Sequence, residues 1–106
     1  MANFVLLYSG GSMPESQAEH AAVMKAWEAW FGGLGSAVVD GGNPFTPKAK
    51  SIASNGTVSD GPVGTMASGY SIIKADSLDA AVETARRCPV LQGGAQITVF
   101  ETFPVM

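Results

Sequence analysis

The residues able to move a proton in this chain are few. There is one histidine, His20, and the acids set among turn residues are Asp40, just before Gly41-Gly42, and Asp60, just before Gly61-Pro62. An imidazole and a carboxylate are the usual partners in general acid/base work, and Tyr8 and Tyr70 could add phenolic hydroxyls. That set of groups is suited to a lyase or isomerase acting on a small organic molecule. Each residue has a second reading. His20 is either a base facing a pocket or an edge-of-core histidine satisfied by one hydrogen bond. Asp40 is either a carboxylate held at a sheet rim or the acid of an Asx-type turn. Asp60 is either presented by a rigid Gly61-Pro62 turn or builds that turn by bonding its own backbone. Tyr8 and Tyr70 either bring hydroxyls to a pocket mouth or are core aromatics with satisfied tips.

Other chemistries find no support. Gly10-Gly11-Ser12 follows a strand pattern but lacks the spacing of a dinucleotide or P-loop fingerprint, and Gly32-Gly33-Leu34-Gly35 follows a helix pattern, as a C-cap does. One histidine and one cysteine, Cys88, far apart, make no metal site of recognisable spacing, so neither metal nor cofactor is expected. Cys88 stands at a predicted helix C-terminus, the wrong end to stabilise a thiolate. A net charge of -3 without a Lys/Arg cluster argues against a nucleic-acid partner. The apolar run Phe4–Tyr8 is too short to cross a membrane or to serve as a signal segment. A single cysteine fits a reducing compartment, and the expected location is the cytoplasm.

The elements that must position these groups follow from periodicity. Asn3 to Ser9 is apolar on both alternating faces, as a central strand covered on both sides would be. Gly10 to Pro14 breaks it, and Ser16 with Glu19 forms a capping box for a helix running to about Leu34. Val23, Met24, Trp27, Trp30, Phe31 and Leu34 share one stripe of that helix with His20, which is thereby expected to point toward the sheet. A second strand spans Ser36 to about Asp40. Asn55-Gly56, between short extended runs from Ala49 to Ser54 and Thr57 to Ser59, signals a hairpin with a type I′ turn. A strand at Ser68–Ala75 leads to a helix capped by Asp76-Ser77, with Leu78, Ala81, Val82 and Ala85 inward, running to about Cys88 and closed by Pro89. Gln96 to Phe103 is the last strand.

One domain spanning residues 1–106 is expected, of α+β class: a ferredoxin-like βαββαβ plait with an antiparallel sheet and an inserted β-hairpin. Two helices cover only one face of such a sheet, yet its first and last strands are apolar on both. The bare face is therefore expected to pair with a second copy, giving a face-to-face homodimer. With 46% of residues apolar and 14% charged, the composition points to a hidden surface in the same way.

Several stretches resemble the YCII-related proteins, including their DGPF branch: Phe4-Val5-Leu6-Leu7-Tyr8, the helix ending in Gly35, Asp40-Gly41-Gly42, Asp60-Gly61-Pro62, Gly69-Tyr70, Ser77-Leu78-Asp79 with Ala81, and Val99-Phe100-Glu101. The resemblance covers essentially the whole chain and implies a dimeric α/β barrel. It singles out Asp60, with Gly61 and Pro62, as part of the site. The family's histidine would fall near Met24, one turn beyond His20, and Val63-Gly64-Thr65 departs from the DGPF branch after the proline. The expected pocket lies between the first helix and the sheet, with His20, Asp40 and Asp60 in the acid/base roles and Tyr8, Gly61, Pro62 and Tyr70 binding the ligand. The competing expectation is a binding or assembly module without turnover.

Overall fold

The structure is a computed structural model and describes residues 1–11 and 16–105. Its elements run β1 (Ala2–Ser9), α1 (Gln17–Leu34), β2 (Val38–Asp40), β3 (Lys50–Ile52), β4 (Val58–Asp60), β5 (Ala67–Ala75), α2 (Leu78–Ala85) and β6 (Gln96–Glu101). Two 3-10 turns, Gly35–Ala37 and Pro89–Gly93, lead into β2 and β6. The main sheet has the order β2-β5-β1-β6 with every neighbour antiparallel, while β3 and β4 pair only with each other. That is the expected ferredoxin-like plait with an inserted hairpin.

The pleat of β1 divides the molecule. Phe4, Leu6 and Tyr8 are buried toward the helices, where they meet Ile73, Ala75, Ala81, Ala85 and Cys88. Val5 and Leu7 turn the other way, Val5 lying between Ile72 and Phe100 and Leu7 between Tyr70 and Thr98. Among the described residues nothing covers this second face at Phe100, which is 50% exposed.

Both helices begin as their sequences predict. Ser16 accepts the Glu19 N–H at 3.1 Å, and Ser77 accepts that of Ala80 at 3.1 Å. Trp27, Trp30 and Leu34 pack on the core, and the Trp30 indole N–H donates to the Thr84 carbonyl at 3.3 Å, tying α1 to α2.

Several expectations need correction. The stripe of α1 is covered only in its C-terminal half, and there only partly: Trp27, Trp30, Phe31 and Leu34 are half-buried, while Ser16 to Lys25 are all exposed, with Val23 at 39% and Met24 at 48%. The α2 helix ends at Ala85, so Arg86 and Arg87 follow its last turn, and Pro89 opens a 3-10 turn where a plain stop was expected. Within α2 only Ala81 and Ala85 are buried, while Leu78 and Val82 stand half-exposed. The hairpin turn is not type I′. Its bond runs from the Gly56 N–H to the Ala53 carbonyl, with Ser54 and Asn55 at its centre, and only Gly56 has positive φ (89°). Asn55 instead uses its side chain to accept the Thr57 N–H at 3.0 Å. The break read at Gly10 to Pro14 falls largely on residues 12–15, outside the described residues.

Candidate functional site

Asp40 is the last residue of β2 and pairs with Ile72, so its side chain belongs to the uncovered face of the sheet. The chain then turns through Gly41-Gly42 and is stitched to β5 by the Pro44–Gly69 bridge and by the Phe45 N–H donating to the Ser68 carbonyl at 2.8 Å. Gly42 has φ +75°, and a Cβ there would lie 1.7 Å from the Tyr70 carbonyl oxygen, so no other residue fits.

The carboxylate is held at both oxygens, one by the turn and one by β5. Oδ1 accepts the Gly42 N–H at 2.8 Å, and Oδ2 accepts the Tyr70 hydroxyl at 3.2 Å. The Asx-turn reading and the sheet-rim reading of Asp40 thus describe the same side chain, one oxygen serving each. Tyr70 is stacked on Phe45, with ring centroids 5.8 Å apart and planes 27° from parallel. Asp40, Tyr70 and Phe45 form an acid, a phenol and an aromatic wall on one side of the sheet. Phe45 had no chemical signature in the sequence; only its place in the Gly/Pro segment after Asp40 could have drawn attention to it.

Tyr8 lies on the opposite face from Tyr70, although their strands are adjacent. Its hydroxyl is inside the core, 5% of the residue being exposed, and donates to the Ser71 Oγ at 2.7 Å. Ser71, wholly buried, donates in turn to the Gly41 carbonyl at 2.8 Å, and the Cys88 thiol points at the Tyr8 hydroxyl at 3.8 Å. Burial pushes the Tyr8 hydroxyl well above the ordinary tyrosine range and also raises the Cys88 thiol. These groups stay neutral and act as a buried chain of donors that ends on the turn holding Asp40. Ser71 was missed by sequence reasoning, because a serine in a strand is unremarkable until its neighbours are known.

His20 is exposed, and among the described residues its ring has no hydrogen-bond partner. Seven residues before Trp27, it shares that residue's side of α1 and stands about 10.5 Å along the axis from it. Trp27 meets Tyr8 edge-on at 5.8 Å, so His20 belongs to the helix side of the sheet and Asp40 to the other. Trp27, Trp30 and Leu34 of α1 pack against the core to which Tyr8 belongs.

Asp60 ends β4 and accepts from Lys50 Nζ at 2.7 Å, its side chain 90% exposed, so it neither builds its own turn nor reaches the core. Gly61, at φ +85°, returns the chain by donating to Ala49 at 2.9 Å and accepting from Ser51 Oγ at 2.7 Å, while Pro62 is exposed. An open concavity of about 580 Å³ lies between Pro47–Lys50 and Asp60-Gly61. The predicted residues therefore fall into separate places, and only Asp40 and Tyr70 are brought into contact. No group of three His, Cys, Asp or Glu side chains that could hold a metal occurs among the described residues.

The fold and this rim define an α+β protein of the ferredoxin-like kind, with two helices on one face of an antiparallel sheet. Among solved structures it is similar to 5-chloro-2-hydroxyhydroquinone dehydrochlorinase (TftG) from Burkholderia phenoliruptrix AC1100, determined in complex with 2,5-dihydroxybenzoquinone. The TM-score is 0.55 at 18% identity, over 96% of this chain and 93% of that one, a likeness of fold. The chain matches no family profile, and no curated protein matches it in sequence. No helix among the described residues is long and apolar enough to cross a membrane.

Proposed function

We propose that the chain is the subunit of a homodimeric acid/base enzyme of lyase or isomerase type, acting without a cofactor on a small planar organic molecule, and that it belongs among the YCII-related proteins. The observation that carries the catalytic part is the Asp40 carboxylate, anchored by the Gly42 N–H and bonded to the Tyr70 hydroxyl. A carboxylate aimed in this way can take a proton from a bound molecule, and the phenol can stabilise or return one. Phe45, stacked on Tyr70, offers a wall for a flat ring. TftG is a dehydrochlorinase, and loss of HCl from a hydroxylated ring is proton-transfer chemistry of this kind. His20, on the helix side, and Asp60, committed to Lys50, stand outside the reacting pair. A lone buried cysteine suits a reducing compartment, and we infer the cytoplasm.

The homodimer is supported by area. A compact monomer of 10.9 kDa exposes about 5,600 Å². This chain exposes 7541 Å², an excess of roughly 1,900 Å², and two such excesses fall within the range buried by obligate homodimers. Its radius of gyration is 15.2 Å, against about 13 Å for a compact domain of this length.

The catalytic reading is tested by titrating the protein with 2,5-dihydroxybenzoquinone and by following chloride release from 5-chloro-2-hydroxyhydroquinone. Asp40→Asn is expected to keep binding and to lower turnover by about 100-fold or more, while His20→Ala leaves turnover unchanged. The reverse pattern would return the chemistry to the helix side. The second reading, a binding or assembly module, is favoured by the same surface excess, which asks only for a partner. Ligand binding without chloride release from the unaltered protein would select it.

A further inference from the structure

A two-stranded ribbon is marginal in water unless something packs on it. The β3–β4 hairpin is such a ribbon, paired with no other strand among the described residues. By alternation one of its faces carries Lys50 and Ile52 from β3 and Val58 and Asp60 from β4. Ile52 and Val58 sit directly opposite one another and are 71% and 56% exposed. The Lys50–Asp60 ion pair lies two residues along the same face.

A second bare surface has the same make-up. Between α2 and β6 runs an apolar groove of about 410 Å³, lined by Leu78, Val82, Leu91, Ile97 and Val99, with Arg86 among its walls. Arg86 is held by Glu83 at 3.0 Å. From Val82 to Arg86 is about 6 Å of helix, and from Ile52 to Lys50 about 6.7 Å of strand. On both surfaces an apolar patch and an ion pair stand at matching separation.

Arm and groove stand apart within one chain: no residue of the arm lines the groove. The arm leaves the sheet after β2, at one edge, and the groove follows β6, at the other, three strand spacings or about 14 Å away. Two copies that stack their uncovered faces about a two-fold axis parallel to the strands bring the β2 edge of one over the β6 edge of the other. We propose that the hairpin arm of each copy seats Ile52 and Val58 in the α2–β6 groove of its partner, with Lys50 meeting the partner's Glu83 and Asp60 the partner's Arg86. This rests on the homodimeric reading above and adds which segments are exchanged. Area favours it: four strands by about six residues make a footprint of roughly 400 Å². Even doubled for side-chain relief, that leaves about half of the roughly 1,900 Å² surface excess to be covered elsewhere, as an exchanged arm and an occupied groove would do.

The test is a mixed cross-link in a Cys88→Ala background. Protein carrying Ile52→Cys is mixed with protein carrying Val82→Cys, dissociated, reassociated and oxidised. A disulfide-linked pair is expected from the mixture and from neither variant alone. As a second measure, Ile52→Asp is expected to raise the dimer dissociation constant 10-fold or more with an unchanged circular dichroism spectrum. A dimer by light scattering that neither cross-links nor responds to Ile52→Asp would overturn the arm exchange while leaving the homodimer standing. Ile52→Cys linking to itself would overturn it in favour of arms meeting each other. A monomer at all concentrations would overturn both.

Discussion

At the scale of single residues, the molecule braces the turn that carries Asp40 with a buried thiol and two buried hydroxyls. Cys88, Tyr8 and Ser71 donate in sequence toward the Gly41 carbonyl, and the next two links of chain carry Asp40 and Gly42 into their bond. Burial disfavours ionisation of Cys88 and Tyr8, whose ordinary values are 9.0 and 10.0, and both are raised in the folded state. A group so shifted contributes stability that is fully present below its unfolded value. As pH rises the unfolded chain ionises first, so that stability is lost progressively up through the folded value. Stability is therefore expected to be flat with respect to these two groups up to about pH 8 and to fall from about pH 9 upward. Cys88→Ala should remove the first part of that fall, leaving the tyrosine part. Urea denaturation from neutral to alkaline pH checks this, and equal alkaline slopes in the two proteins would refute the thiol's share.

At the scale of elements, the segment from Asp40 to Phe45 connects the sheet to its rim. Gly42 passes so close to the Tyr70 carbonyl that any side chain would displace β5 or the turn. Gly42→Ala is expected to cost about 2–4 kcal/mol, from the lost left-handed conformation together with backbone overlap. Asp60→Asn, which removes only an exposed ion pair on the hairpin, should cost less than about 1 kcal/mol. Chemical denaturation of both variants checks the contrast, which fails if the two are equally mild. The helices differ in the same way. The C-terminal half of α1 is anchored by Trp27, Trp30 and Leu34, while its first turns, with His20 and Met24, stand free of the chain's own core.

At the scale of the whole molecule, one face of the sheet is packed by helices and the other presents Val5, Leu7, Ile72 and Phe100 to whatever lies above it. Under the proposed homodimer, pairing with a second copy stabilises the protein by mass action. Its thermal midpoint should rise by several degrees between about 1 and 100 µM chain. A midpoint independent of concentration would count against the homodimer, and with it against any site closed between copies.

What the sequence by itself determined is the set of elements and their order, because those depend on local signals: the apolar runs of β1 and β5, the Ser16 and Ser77 caps, and Asn55-Gly56 at the hairpin. It also carried the two-sided apolar character of β1, from which the uncovered face follows. Only the tertiary structure decided which chemical groups meet. Asp40 and Tyr70 are thirty residues apart and come together through a bulged β2–β5 register that no local pattern specifies. The β1–β5 register puts Tyr8 and Tyr70 on opposite faces, and the face to which β2 turns Asp40 parts it from His20 on the helix side. A one-residue shift of any of these strands would turn its side chains to the other face, and register is settled by packing between distant strands.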